Sequence, residues 1–158
     1  MLYRFYVYNE QVLLPTVAET EEGFYVDTKP VEMFPAVEVD EWKTHLYKRL
    51  TSRNEIIPTP QASDSGHSVL LDALHIEKWS VFEKRAIMYT VHAVGRYLRV
   101  FRTGKGPDGM WEAANTSERI FDSRAPWSFI TDALAEDALS QPEAHPVKVG
   151  GLMVIRKS

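Results

Sequence analysis

The chain has 158 residues, 44% hydrophobic and 25% charged, with a net charge of −4 and a pI near 5.7. That balance belongs to one soluble globular domain with enough length for a core, and it excludes a disordered or fibrous chain and a general nucleic-acid binder. There is no cysteine, which excludes disulfides, thiolate metal sites and a cysteine nucleophile, and no run reaches the roughly eighteen apolar residues of a membrane span.

The N-terminal "LYRFYVY" (2–8) alternates and is rich in aromatics, so it reads as a half-buried first strand rather than a signal peptide. "QVLLPTV" (11–17) continues the meander, with Pro15 marking an edge or a turn. Glu21-Glu22-Gly23 is the turn of a hairpin into "FYVDT" (24–28), and a further run, "VEMFPAV" (31–37), follows Thr28-Lys29-Pro30. The period then changes. Val39, Trp42, Leu46, Tyr47 and Leu50 form an apolar helical stripe, Asp40 is placed to cap the start, and Lys48, Arg49 and Arg53 lie late in the helix where they suit its dipole.

"IIPTPQASDSGHS" (56–68) is a proline- and serine-rich loop, long enough to carry function. "VLLDALHI" (69–76) fits a short buried strand as well as a helix, and "EKWSVFEKRA" (77–86) fits a short helix that packs Trp79 and Phe82. "IMYTVHAV" (87–94) and "RYLRVFRT" (96–103) are strands joined tightly at Gly95, with "MWEAA" (110–114) as a third partner. Pro126 opens a second long helix, "PWSFITDALAEDALS", with Phe129, Ile130, Ala133, Leu134 and Leu139 on its apolar side. "VKVGGLMVIRK" (147–157) closes the sheet or hangs off it. The whole predicts an α+β fold: one domain over 1–158, mainly an antiparallel meandering sheet packed by two longer helices and one short one, with 142–158 as a loosely attached strand or tail.

Patterns that would carry chemistry are weak. "TGKGPDG" (103–109) lacks the spacing and the Ser or Thr of a phosphate-binding P-loop, and Pro107-Asp108-Gly109 is a turn tripeptide. In the preceding strand Arg96, Leu98, Val100 and Arg102 point one way and Tyr97, Arg99 and Phe101 the other. The histidines, His45, His67, His75, His92 and His145, make no pair with metal-ligand spacing, and His92 sits in an apolar strand as a half-core residue. Asp64, Ser65, His67 and Ser68 contain the residue types of a hydrolytic triad but no G-x-S-x-G elbow. The alternative functional reading is a small-ligand or hydrolytic pocket near Ser65 and His67. No catalytic residue, metal site or cofactor is assigned.

Charge is the strongest pattern. Residues 1–42 carry Glu10, Glu19, Glu21, Glu22, Asp27, Glu32, Glu38, Asp40 and Glu41 against Arg4 and Lys29, whereas residues 84–105 carry Lys84, Arg85, Arg96, Arg99, Arg102 and Lys105 and no acid. Such a split serves the steering of a charged partner, or the two surfaces are neighbours and neutralise each other. On charge alone the partner-facing residues are Glu19, Glu21, Glu22, Asp27, Glu32, Arg96, Arg99 and Arg102.

The succession "LPTVAETEEGFYVDTKPVE", the Trp42 helix, "IPTP", "WSVFEKRA" and "GRYLRVFRTGKGPDGMWEAA" resembles small immunity proteins of bacterial contact-dependent growth inhibition and related polymorphic toxin systems, as a general pattern over residues 1–140. The resemblance implies a cytoplasmic protein that binds and neutralises one cognate toxin domain, often a nuclease, by covering its active site. It implies no cofactor, no direct contact with nucleic acid and no membrane. Binding surfaces differ among such proteins, so the resemblance assigns no individual residue.

Overall fold

The computed structural model describes residues 1–61 and 68–145 and the backbone of two further short strands. In chain order the elements are β1 (Leu2–Tyr8), β2 (Gln11–Thr20), β3 (Tyr25–Pro35), α1 (Val39–Thr51), β4 (Ile56–Ile57), α2 (Val69–Leu74), α3 (Trp79–Arg85), β5 (Ala86–Val94), β6 (Tyr97–Lys105), β7 (Trp111–Asp122) and α4 (Trp127–Ser140). A 3-10 turn (Pro142–Ala144), β8 (Val147–Val149) and β9 (Leu152–Val154) follow. The main sheet runs β3-β2-β1-β5-β6-β7, antiparallel throughout, with β4 added parallel to β2. This is an α+β architecture, as the switch from strand to helical periodicity predicts.

Side-chain alternation divides the sheet between two layers. Tyr3, Phe5 and Val7 of β1 face α1 and α4, in a core that includes Trp42, Leu46, Leu50, Tyr89, Val91, Ile130 and Leu134. Tyr6 and Tyr8 face the opposite side, where Leu13, Leu70 and Phe82 bury them under α2 and α3. Phe5 stacks on Tyr89 at 4.8 Å, and Tyr8 on Phe82 at 5.2 Å, so aromatics anchor both layers. α1 and α4 pack side by side, and Lys43 pairs with Asp132 across them at 2.6 Å.

Several expectations change. "FYVDT" and "VEMFPAV" are one strand: β3 passes through Lys29-Pro30, and the register against β2 slips there by a bulge between Leu14 and Thr16. Pro15 therefore marks neither an edge nor a turn but that irregularity, in an inner strand. β1 and β2 stay paired only from Tyr8↔Gln11 to Tyr6↔Leu13, and the wedge that opens beyond is filled by the Asn54 side chain and β4. "VLLDALHI" is helical over α2, capped by the Ser68 side chain on Leu70 N, which gives a second short helix. Asp40 is inside the first turn of α1 and does not cap it, since Glu38 occupies that place without a side-chain bond. Tyr47 and Phe129 leave their expected apolar stripes and are 45% and 54% exposed.

β7 runs well past "MWEAA", and a register break against β6 between Arg102 and Gly104 folds its start over Gly104. A Cβ at Gly104 would lie 2.0 Å from Asn115 O, so the close approach of two backbones requires glycine there. "GKGPDG" is a turn, in which Asp108 Oδ1 accepts from Met110 N at 3.0 Å. Lys105 Nζ donates to Lys84 O at 2.6 Å and pairs with Glu143 at 3.3 Å. At the C-terminal end β8 and β9 pair with each other rather than closing the main sheet. Residues 142–144 belong to the body of the fold: Ala144 is buried in the α1/α4 core, and Glu143 O accepts from Glu10 N at 2.8 Å.

Candidate functional site at the tip of the β2–β3 hairpin

The turn between β2 and β3 is tied down on all sides. Thr20 N donates to Phe24 O at 2.6 Å, Gly23 N to Thr20 O at 2.9 Å, and Phe24 N to the Thr20 hydroxyl at 3.0 Å. Gly23 has φ +91, a conformation that a side chain would strain. The segment after α1 then braces the turn: Glu19 N donates to Glu55 O at 2.9 Å, Glu21 N to Ile57 O at 3.0 Å, and Glu22 N to the Thr59 hydroxyl at 3.2 Å.

Brought together on this frame are two large apolar side chains in water, Phe24 (62% exposed) and Ile56 (66% exposed), among the carboxylates of Glu19, Glu21, Glu22 and Glu55. No ion pair engages those four acids among the described residues. Glu19 accepts from the Tyr25 hydroxyl, and burial followed by this carboxylate raises the Tyr25 phenol above its ordinary pKa. The result is a braced turn that carries four carboxylates and two exposed apolar side chains.

The other residues chosen on charge lie elsewhere. Asp27 pairs with Arg4 at 3.1 Å and accepts from the Tyr6 hydroxyl. Glu32 pairs with Arg49 and with His45, both at 2.8 Å, and so pins β3 to α1. Arg99 is held by both oxygens of Glu118 at 3.0 Å, and Arg102 meets Asp137 of α4 at 2.7 Å. Arg96 is exposed in the β5–β6 turn. The acidic meander and the basic strand do not neutralise each other, because β1 and β5 stand between them in the sheet. Asp27, Glu32, Arg99 and Arg102 find their counter-charges nearby, whereas the carboxylates at the hairpin tip make no ion pair among the described residues.

Phe24, Glu55 and Ile56 were not among the sequence-based choices. Phe24 read as the first residue of a strand, and Ile56-Ile57 as the start of a loop. The position of Glu55 and Ile56 beside Glu19 comes from a parallel pairing with β2 that no local pattern announces.

Among the described residues no group of three or more His, Asp or Glu could hold a metal ion, and no helix is long and apolar enough to cross a membrane. Ser65 and His67 lie outside the described residues. His92 is half-buried on the sheet face away from α1 and α4, with its ring 6.3 Å from that of Tyr25. Burial, with help from the chain's amino terminus and Arg99, lowers its pKa.

No protein-family model matches the chain, and no curated protein matches it. A solved structure, that of a protein of unknown function, NMB0488, from Neisseria meningitidis, is similar with a TM-score of 0.57 and 12% identity over 89% of this chain and 94% of that one. At that identity the likeness is one of fold alone.

Proposed function

We propose that this protein is a cytoplasmic inhibitor of the immunity type, which binds a cognate bacterial toxin domain and covers its active site with the tip of the β2–β3 hairpin. The observation that supports this reading is the gathering of Glu19, Glu21, Glu22 and Glu55 with exposed Phe24 and Ile56 on one braced turn. A cleft that holds a polyanionic substrate, as in a nuclease, is lined with cations, and a preformed cluster of carboxylates is its electrostatic complement. The acids set the rate of encounter, and an aromatic anchor on the same turn supplies the slow dissociation. Because the turn is already ordered, binding does not have to pay for folding it. An inhibitor of this kind needs no cofactor and no chemistry of its own.

The test is co-purification with the product of the adjacent gene, combined with rescue of cells that express that product. Binding with protection is expected; neither binding nor protection ends the immunity reading. Given binding, Glu21→Lys, Glu22→Lys and Glu55→Lys together should slow association at least tenfold at low salt and flatten its salt dependence. Phe24→Ala should weaken the complex by about 2 kcal/mol or more, chiefly in dissociation, without loss of stability. An unchanged complex after both sets of substitutions would place the contact surface elsewhere while leaving the inhibitor reading intact.

A further inference from the structure

A cavity of about 270 Å³ opens between β6–β7 and α4, at the end of the sheet opposite the hairpin tip. Val100 and Phe121 of the sheet and Leu134 of α4 make its apolar floor, each at most 7% exposed. The space exists because α4 presents Ala133 here, and β7 presents Ser117 and Arg119, where larger apolar side chains would have closed the layer.

The charges of the cavity can be counted. Asp137 is fully engaged: it accepts from the Tyr89 hydroxyl at 2.6 Å and from Arg102 Nη1 at 2.7 and 3.0 Å, so Arg102 neutralises it. Glu118 is held by Arg99, at 3.0 Å. That leaves Arg119, which makes no ion pair among the described residues and lies with its guanidinium 4.6 Å from the Phe121 ring centroid. A guanidinium resting on an aromatic face keeps its edge N–H groups free for a planar anion.

We infer that this cavity binds a small organic monoanion, a carboxylate on a short aromatic or aliphatic body. The body lies over Val100, Phe121 and Leu134, and the carboxylate meets Arg119, with the Ser117 hydroxyl beside it. The size agrees: a cavity of about 150 Å³ suffices for benzene, and the additional room here accepts a substituent. The site is separate from the hairpin tip, so its occupancy and the inhibitor reading stand or fall independently.

The experiment is titration of the intact chain with benzoate, phenylacetate and hexanoate at millimolar concentration, followed by two-dimensional 1H–15N NMR, with phenylacetamide as the uncharged control. At least one acid should give saturable shifts confined to the cavity lining, at residue 89 and residues 100–102, 117–121 and 133–137. The amide should bind about tenfold more weakly, the difference expected for one partly solvated charge-assisted contact. Arg119→Gln should reduce the acid to the affinity of the amide, and Ala133→Leu should abolish binding of both by filling the space. The inference is overturned if no acid saturates, if acid and amide bind alike, or if Arg119→Gln leaves the acid's affinity unchanged in a protein whose spectrum is otherwise native.

Discussion

Asn54 and Leu2, fifty-two positions apart, exchange two hydrogen bonds: Leu2 N donates to Asn54 Oδ1 at 3.0 Å, and Asn54 Nδ2 donates back to Leu2 O at 2.8 Å. The same amide donates to Val17 O at 2.9 Å. One side chain thus continues the ladder where Pro15 and the β3 bulge part β1 from β2. Asn54→Ala should cost about 2–3 kcal/mol in urea unfolding, because three half-buried backbone groups lose their partner together. Asn54→Asp keeps the acceptor for Leu2 N but faces two carbonyl oxygens. The introduced carboxyl therefore titrates above its ordinary value in the folded state, and this variant should gain stability as pH falls from 7 to 4.

Alkaline stability rests chiefly on the three phenols raised furthest, with Tyr8 and Tyr25 raised less. Tyr3 and Tyr6 are held above the ordinary tyrosine value by burial first, with the Asp27 carboxylate adding to it, and Tyr89 by burial and then by its bond to Asp137. The folded chain keeps these protons when the unfolded chain, near pH 10, releases them. Stability is therefore intact below pH 10 and falls above it, by about 1.4 kcal/mol per pH unit for each phenol, or about 4 for the three. Denaturant titrations between pH 9 and 11 measure the slope, and Tyr89→Phe should reduce it by about a third. Phenolate absorbance from these residues should appear only with unfolding.

The β6–β7 register break predicts a contrast between neighbouring glycines. At Gly104 a methyl group meets Asn115 O, C and Cβ within 2.5 Å, and two of those are main-chain atoms that can move only with the strand. At Gly106 the nearest atom, at 2.7 Å, is Oε2 at the end of the Glu112 side chain, which can rotate away. Gly104→Ala should destabilise by about 1–3 kcal/mol and Gly106→Ala by distinctly less, with equal losses refuting the account.

The β1–β2 connection carries a conformational cost. Asn9 and Glu10 have φ of +47 and +67, the left-handed region that asparagine tolerates and glutamate does not favour. Glu10 is held there by its backbone, with N donating to Glu143 O and O accepting from Ala36 N, both at 2.8 Å. Glu10→Gly relieves about 1–2 kcal/mol of strain against a smaller entropic loss. It should raise stability by up to about 1 kcal/mol in thermal unfolding, whereas Glu10→Val should lower it.

Much of the fold was legible locally. The helical stripe of Trp42, Leu46 and Leu50 states which face is buried, and those residues are core, whereas "LYRFYVY", read as half-buried, is covered on both faces, Tyr3, Phe5 and Val7 by one layer and Tyr6 and Tyr8 by the other. The turn chemistry of Pro107-Asp108-Gly109 was likewise readable as geometry and not as a phosphate cradle. Tyr47 and Phe129 misled because an apolar side chain at the margin of a helical face is covered only if a neighbour reaches it, and the neighbour belongs to another element. The length of β7 was hidden for a related reason. Its outward residues, such as Ala113, Asn115 and Glu118, have little strand preference, and pairing with β6 holds them extended.

By itself the sequence determined the alternation of strands and helices, the identity of most core residues, and the excess of acid in the first forty residues. Those are properties of spacing and composition, which need no partner in space. Only the tertiary structure decided which charges remain available. Ion pairs within the sheet and from sheet to helix consumed Asp27 with Arg4, Glu32 with Arg49, Arg99 with Glu118 and Arg102 with Asp137, partners 17 to 35 positions apart in the chain. The parallel contact of β4 with β2 brought Glu55 and Ile56 to Glu19, and so assembled at one turn carboxylates that make no ion pair among the described residues. Coulomb energy and burial depend on distance in space, and distance in space is what a linear chain does not state until it is folded.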